Sequence, residues 1–250
     1  MAENDKAISW GHPSYVWRYG QDRRLAILRR YAPLDGKKIL DVGCGIGTYL
    51  ARFRAFSPQV YGVDIDRDKV KQGSRELPYL ATACAENLPF QDGVFDVILL
   101  HEVLEHVTDD GEALQEAYRV AKEGGRIVIY VPNRLYPFET HGFYLGKRYV
   151  FGLLPLVNYL PQPLRRLLVP HVRVYLGRDL KRLFRGLMVA VIAHSYLFPG
   201  FDGIAARRPW LGRLLRYLIY PLERSPLRIF GLSHFLVLEK EAPGGNNGPE

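Results

Sequence analysis

Ile39-Leu40-Asp41-Val42-Gly43-Cys44-Gly45-Ile46-Gly47 joins a short apolar run to three alternating glycines, and its reading decides the fold. Lys38 to Val42 has the continuous apolar character of a buried strand, and Thr48 to Phe56 has the pattern of a helix. Glycine lets a chain turn through positive φ and lets its backbone approach a ligand. A strand, glycine turn and helix in this order therefore aim the free N–H groups of a helix start at a bound group. Gln59 to Val63 alternates as a second strand and ends in Asp64, about twenty residues past the glycines, where a carboxylate can accept both hydroxyls of a ribose. The unit points to a nucleotide-like ligand. The dinucleotide fingerprint would put its third glycine at position 48, which is Thr48, so NAD-dependent oxidoreduction is only a minor alternative.

Further stretches extend the pattern. They are Ala85-Glu86-Asn87-Leu88-Pro89-Phe90, then Phe95-Asp96-Val97-Ile98 with His101-Glu102-Val103-Leu104-Glu105-His106-Val107, and Lys122-Glu123-Gly124-Gly125-Arg126-Ile127-Val128-Ile129 before Val131-Pro132-Asn133. On these motifs, between Ala32 and Asn133, the chain resembles the class I S-adenosylmethionine-dependent methyltransferases of the type 11 domain. The resemblance implies S-adenosyl-L-methionine as cofactor. It implies that Gly43, Gly45 and Gly47, with Cys44 between them, line its methionine and ribose portions, that Asp41 orders the loop and the amino-acid end, that Asp64 holds the ribose, and that Ile65 packs on adenine. Relatives carry an aspartate just before the Ala-Glu pair, whereas this chain has Cys84, which shifts adenine recognition to the Ala85 backbone or to Glu86.

Strands are predicted near 38 to 42, 59 to 63, 80 to 83, 95 to 100 and 125 to 131, with later strands at Leu187 to Ser195 and His234 to Lys240. Helices are predicted at Gln21 to Tyr31, Glu112 to Ala121 and Arg178 to Gly186. Alternating strands and helices read as an α/β, doubly wound, Rossmann-like fold, and the resemblance implies a seven-stranded, mostly parallel sheet with an antiparallel last strand. Residues 1–31 are expected to form an aromatic lid and helix, 32–133 the cofactor-binding core, 134–241 the acceptor-recognition part and 242–250 a flexible tail. The 250 residues suffice for one substantial core, and two cysteines exclude a disulfide framework and a CxxC metal site. With no apolar leader after Met1, a cytoplasmic setting is expected.

Charge is unevenly placed. Arg134 to Arg228 holds 14 Arg and 2 Lys against 2 Asp and 2 Glu, a balance of +12 that exceeds the +8 of the whole chain, so the remainder is acidic. Two helical basic insertions are expected there, Arg134 to Leu176 and Pro199 to Phe230. In the second, Trp210, Leu211, Leu214, Leu215, Leu218 and Ile219 fall along one helical stripe with Arg213 and Arg216 off it, a pattern that fits an anionic membrane surface or ordinary packing on the sheet. Val150 to Leu164 is uncharged but short and carries three prolines, so no membrane span is expected.

Methyl transfer depends mainly on alignment of the acceptor with the activated methyl, and a base is needed only for a protonated acceptor. His101, at the end of the fourth strand, is the candidate catalytic residue. Glu102, Glu105 and His106, sharing a face if helical, resemble a motif of ubiquinone-pathway O-methyltransferases and small-RNA 2′-O-methyltransferases. There a later histidine, here His171 or else His141, would complete a cation site. Tyr136, Phe138, His141 and Tyr144 are the expected acceptor wall, and Trp10 to Tyr19 the lid. The expected acceptor is a small or lipid-like molecule methylated on O or C; the alternatives are an RNA methyltransferase and a non-catalytic cofactor-binding adaptor.

Overall fold

The computed structural model describes residues 17–146, 148–150 and 152–242. Seven strands form the central sheet: β1 (Ile39–Val42), β2 (Val60–Asp64), β3 (Leu80–Thr82), β4 (Phe95–His101), β5 (Ala121–Pro132), β6 (Val189–Leu197) and β7 (Ser233–Lys240). Their order is β6-β7-β5-β4-β1-β2-β3. Neighbours from β5 through β3 run parallel, whereas β7 lies antiparallel to both β5 and β6. All four β1 residues are buried, as a central strand covered on both faces requires. The chain steps from β1 outward to β2 and β3, then returns to β4 on the other side of β1. That reversal opens a crevice beyond the carboxyl ends of β1 and β4.

Alternate strand residues feed two cores. Leu40, Ile98 and Leu100 pack toward the helices α4 (Asp110–Val120) and α6 (Gly177–Leu183), while Ile39, Val97 and Leu99 pack toward α1 (Tyr19–Tyr31) and α2 (Thr48–Phe53). Helix α4 begins two residues earlier than the apolar pattern predicts because the Asp109 carboxylate accepts the N–H groups of Gly111 and Glu112 at 2.8 and 3.0 Å. Helix α3 (Arg67–Gly73) has no counterpart in the sequence expectation, since Val70 is its only large apolar residue. Asp66 caps it, and a Cβ at Gly73 would come 2.5 Å from the Ile46 carbonyl oxygen, so α3 packs directly beneath the glycine loop.

The insertions differ from each other. Arg134 to Leu176 is expected to be helical, yet among its described residues it contains two short antiparallel ladders, Phe138–Glu139 with Leu154–Pro155 and Phe143–Leu145 with Arg148–Val150, and only one α-helix, α5 (Gln162–Leu168). It folds around a buried ion pair: Arg165 donates to Glu139 Oε2 at 2.7 Å, to the Val172 carbonyl at 2.7 Å and to Asn158 Oδ1 at 3.2 Å. Part of the positive charge of this insertion is thus internal. The other insertion is helical, with α7 (Asp202–Arg207), α8 (Pro209–Ile219) and 3₁₀ turns at Tyr220–Arg224 and Pro226–Phe230. Most of the expected lid lies outside the described residues; Trp17 is anchored edge-on to Tyr49, with ring centroids 4.9 Å apart.

Candidate active site

Gly43, Gly45 and Gly47 have φ of 71°, 56° and 87°, which side chains disfavour, and a Cβ at Gly43 would lie 2.5 Å from Val103 Cγ2. Conformation and space both demand glycine there. The loop is tied to β2: the Gly43 and Cys44 amides donate to the Val63 carbonyl at 2.8 and 3.0 Å, and the Gly45 amide donates to Asp64 Oδ2 at 2.7 Å. Asp64 Oδ1 accepts the Asp66 amide at 2.8 Å, so this carboxylate joins the glycine loop to the start of α3. Each oxygen keeps a second lone pair for a hydroxyl donor.

One cleft of roughly 2100 Å³ takes in these elements, larger than the ~300–1,000 Å³ that a drug-sized ligand needs. Asp41, Gly43, Cys44, Asp64, Ile65 and Glu86 line it at one end. Ile65 is 75% exposed, an apolar side chain presented to the cleft. Asp41 is buried and accepts no hydrogen bond from a described residue; burial, reinforced by the charge of Asp64, pushes its carboxyl well up. A cationic ligand group there would supply the missing counter-charge, so these residues fit an ammonium-bearing nucleoside such as S-adenosylmethionine. Burial also pushes the Cys44 thiol up, which keeps it neutral and unreactive. Glu86 Oε1 already accepts the Thr108 amide at 2.8 Å, while buried Ala85 and Cys84 border the cleft beside it.

Arg24, on α1, carries no mark in the sequence beyond belonging to a basic helix, yet it is the electrostatic centre of the site. Its guanidinium donates to Glu102 Oε1 at 2.7 Å, to Ser233 Oγ at 2.8 Å, and to His101 Nε2 at 2.7 Å. Arginine is always a donor, so His101 Nε2 accepts and its ring proton sits on Nδ1. Burial, aided by the charge of Arg24, outweighs the opposing charge of Glu102 and brings the His101 pKa down to about 4; the ring stays neutral. Burial alone would raise the Glu102 carboxyl, but Arg24, with His101 and His141, overrides it and holds the group ionised. Glu102 has φ 58°, a left-handed turn that breaks β4 and swings its side chain toward α1. Tyr49, equally unmarked in the sequence, lies tilted against the His101 ring with centroids 4.9 Å apart, and its buried hydroxyl has no partner among the described residues.

The Glu102 to His106 segment is a turn and not a helix, so Glu102 separates from the other two residues. Glu105, His106 and His141 offer ligand atoms that all lie within 4.8 Å of one another. Glu105 is 1% exposed and neither carboxylate oxygen has a partner among the described residues; burial, and then the charge of Glu102, pushes its pKa well up. Glu139 Oε1 holds His141 Nδ1 at 2.9 Å, leaving Nε2 to face the cluster, and the cation-paired Glu139 carboxyl is held down at about 2 despite burial. His171 lies outside this trio: its ring sits against Tyr144 and Tyr149, with Nε2 3.4 Å from the His141 carbonyl. Of the expected wall, Tyr136, Phe138 and His141 line the cleft, joined by Tyr149 and Leu153; Tyr144 stands behind them.

The sheet order, the glycine cradle at the end of β1 and the acidic residue at the end of β2 form a Rossmann-like class I methyltransferase fold. Residues 40–129 match the family described as a methyltransferase domain. It is 30% identical over 142 residues to a ubiquinone biosynthesis O-methyltransferase of Thiobacillus denitrificans, covering 53% of this chain and 60% of that protein. A demethylmenaquinone methyltransferase of Clavibacter sepedonicus is 36% identical over 111 residues, covering 42% and 45%. The chain thus spans about half the length of the curated relatives it matches. The crystal structure of an S-adenosylmethionine-dependent methyltransferase from Mesorhizobium loti superposes with a TM-score of 0.58 at 20% identity, covering 86% of this chain and 96% of that one, a likeness of fold.

Proposed function

We propose that this protein is an S-adenosylmethionine-dependent methyltransferase that methylates an oxygen or carbon of a small or lipid-like acceptor. The observation that carries this reading is the continuity of the cleft: the cradle of Gly43, Asp64 and Ile65 opens directly onto a wall of Tyr136, Phe138, Tyr149 and Leu153. Apolar walls of this kind select ring systems and acyl or prenyl chains over hydrated metabolites. The quinone-pathway names of the relatives point to the same acceptor class.

In this reading residues 32–133 bind the cofactor and 134–241 the acceptor. Gly43 and Gly45 bring the backbone against the ligand, Asp64 takes the ribose hydroxyls, Ile65 covers the base beside Ala85 and Glu86, and Asp41 balances the amino-acid end. The cofactor supplies an activated methyl whose charge vanishes on transfer. The protein contributes alignment and exclusion of water. His101, neutral and held at Nε2 by Arg24, orients the acceptor as a wall of fixed geometry and is not the base. Glu105, His106 and His141 fit a divalent cation, which would supply Lewis-acid polarisation of an acceptor hydroxyl.

The test is calorimetric binding of S-adenosylhomocysteine beside NADH, followed by labelled methyl transfer to lipid, small-metabolite and RNA extracts. Label in the lipid or small-metabolite fraction is expected. Label in RNA alone would replace the acceptor class. Binding without transfer to any extract would favour the adaptor reading, and NADH binding alone would overturn the cofactor.

A further inference from the structure

Helix α8 carries an apolar face wider than its packing covers. Its inner stripe, Leu211, Leu215 and Ile219, is half-covered, and Gly212 lies against α7 so closely that a Cβ there would meet Ala205 Cβ at 2.5 Å. Its outer stripe, Trp210, Leu214, Tyr217 and Leu218, follows the i, i+4, i+7, i+8 spacing of one helical face and is open to solvent, with Trp210 60% and Tyr217 78% exposed. Leu227, Ile229 and Phe230, on the 3₁₀ turn that follows, are exposed as well. The inner edge of this face is covered by the body of the protein; the outer edge, left open, calls for an apolar partner.

The charges of this segment show which partner. Its two carboxylates are spent internally: Asp202 accepts from Arg216 at 3.1 Å and from the Gly20 amide at 3.1 Å, and Glu223 pairs with Arg23. Arg216 also lies 3.8 Å over the Tyr19 ring and donates to the Gly200 carbonyl, so it straps α7 and α8 to α1 and is not a headgroup ligand. Arg207, Arg208, Arg213, Arg224 and Arg228 are exposed and have no carboxylate partner among the described residues. Five unpaired arginines around an open aromatic and aliphatic stripe complement a surface that is anionic above and apolar beneath. That is an anionic lipid bilayer.

We propose that α8 and the Pro226–Phe230 turn form a docking face for an anionic bilayer, with Trp210, Leu214, Tyr217 and Leu218 in the headgroup–acyl boundary and the five free arginines on lipid phosphates. No described helix is long and apolar enough to cross a membrane, so the contact is interfacial. The face is joined to the cleft: Ile204, Arg207 and Arg208, from α7 and the link to α8, line both the cleft and the base of the docking helix. Docking holds the cleft mouth at the lipid surface, where an apolar acceptor resides. The proposal does not rest on the reaction assigned to that cleft.

The test is sedimentation of the full chain with vesicles of phosphatidylcholine alone and with added phosphatidylglycerol. Binding to the anionic vesicles only is expected, weakening with salt. Neutralising Arg207, Arg213 and Arg224 to Gln should weaken it by roughly fivefold per arginine, and Trp210→Ser with Tyr217→Ser by about tenfold or more. These side chains are exposed, so circular dichroism should report an unchanged fold. In a chain with Trp10→Phe and Trp17→Phe, lipids brominated in the acyl chain should quench Trp210 fluorescence, a readout independent of the surface variants. Absence of anionic-vesicle binding at low salt, or binding with no quenching, overturns the proposal. So does a stable dimer dispersed by Trp210→Ser and Tyr217→Ser, which would make the face a contact between copies, and so does RNA binding without lipid binding.

Discussion

Replacing Asp64 separates two jobs that this carboxylate performs. It accepts the Gly45 amide at 2.7 Å and the Asp66 amide at 2.8 Å, and in the proposed complex the same oxygens accept the ribose hydroxyls. Hydrogen bonds to a charged acceptor are worth about 1.5–3 kcal/mol each, and at this half-buried position the lower end applies, so Asp64→Ala should cost the unliganded protein about 3 kcal/mol. At about 2–4 °C per kcal/mol for a chain of this size, Tm should fall by ~6–12 °C. Asp64→Asn keeps one acceptor and presents an NH₂ to the other amide, so it loses at least one bond and should fall by at least about half as much. Affinity for S-adenosylhomocysteine should drop more than about 100-fold in Asp64→Ala, from the lost ribose contacts and a loosened glycine loop. Calorimetric titration and thermal unfolding, read on the same preparations, give both numbers. Wild-type affinity in Asp64→Ala would refute the cradle altogether. Lost affinity with an unchanged Tm would refute the anchoring of the loop and leave only the ribose contact.

Arg24→Met should strand the half-buried Glu102 carboxylate and cost about 2–4 kcal/mol at neutral pH, with Arg24→Met/Glu102→Gln recovering most of it in thermal unfolding. Because Arg24 depresses the folded pKa of Glu102, the pair's contribution is present above the ordinary glutamate range and is lost as pH falls through the depressed value. The gap between wild type and the double variant should therefore shrink on acidification, and a constant gap from neutral to acid would count against the assignment. Gly43→Ala should abolish cofactor binding and lower Tm, since its Cβ meets Val103 at positive φ; retained binding would mean that the loop yields at little cost. Divalent cation at about 100 times its Kd should raise Tm by the equivalent of ~2.7 kcal/mol, an effect absent in Glu105→Gln and His141→Ala. A Tm indifferent to cations in the wild type would remove the cation site.

The positions of the strands follow from patterns visible along the chain, because buried strands write themselves as short apolar runs and the glycine turn dictates where β1 stops, while the seven-stranded sheet was implied by the family resemblance and its order is seen only in the structure. The cradle is legible for the same reason: Gly43, Gly45, Gly47 and Asp64 are set by backbone geometry and spacing within one β-α-β unit. Helix α3 is not legible in this way because capping by Asp66, and not an apolar face, makes it. The acceptor side depends on residues far apart in sequence. Arg24 reaches His101, Glu102 and Ser233 across three elements, and nothing in a run of basic residues on a helix tells which one turns inward. The positive φ at Glu102 sends that side chain to Arg24, so the apparent Glu-x-x-Glu-His cluster divides and His141, fixed by Glu139, joins Glu105 and His106 in its place. Arg165, buried against Glu139, and Arg213, free on α8, both sit in arginine- and leucine-rich stretches that sequence does not distinguish. Local rules of propensity, spacing and glycine conformation located the strands and the glycine loop from sequence alone, whereas the pairing and burial of charges, which require distant segments to meet, were decided only by the tertiary structure.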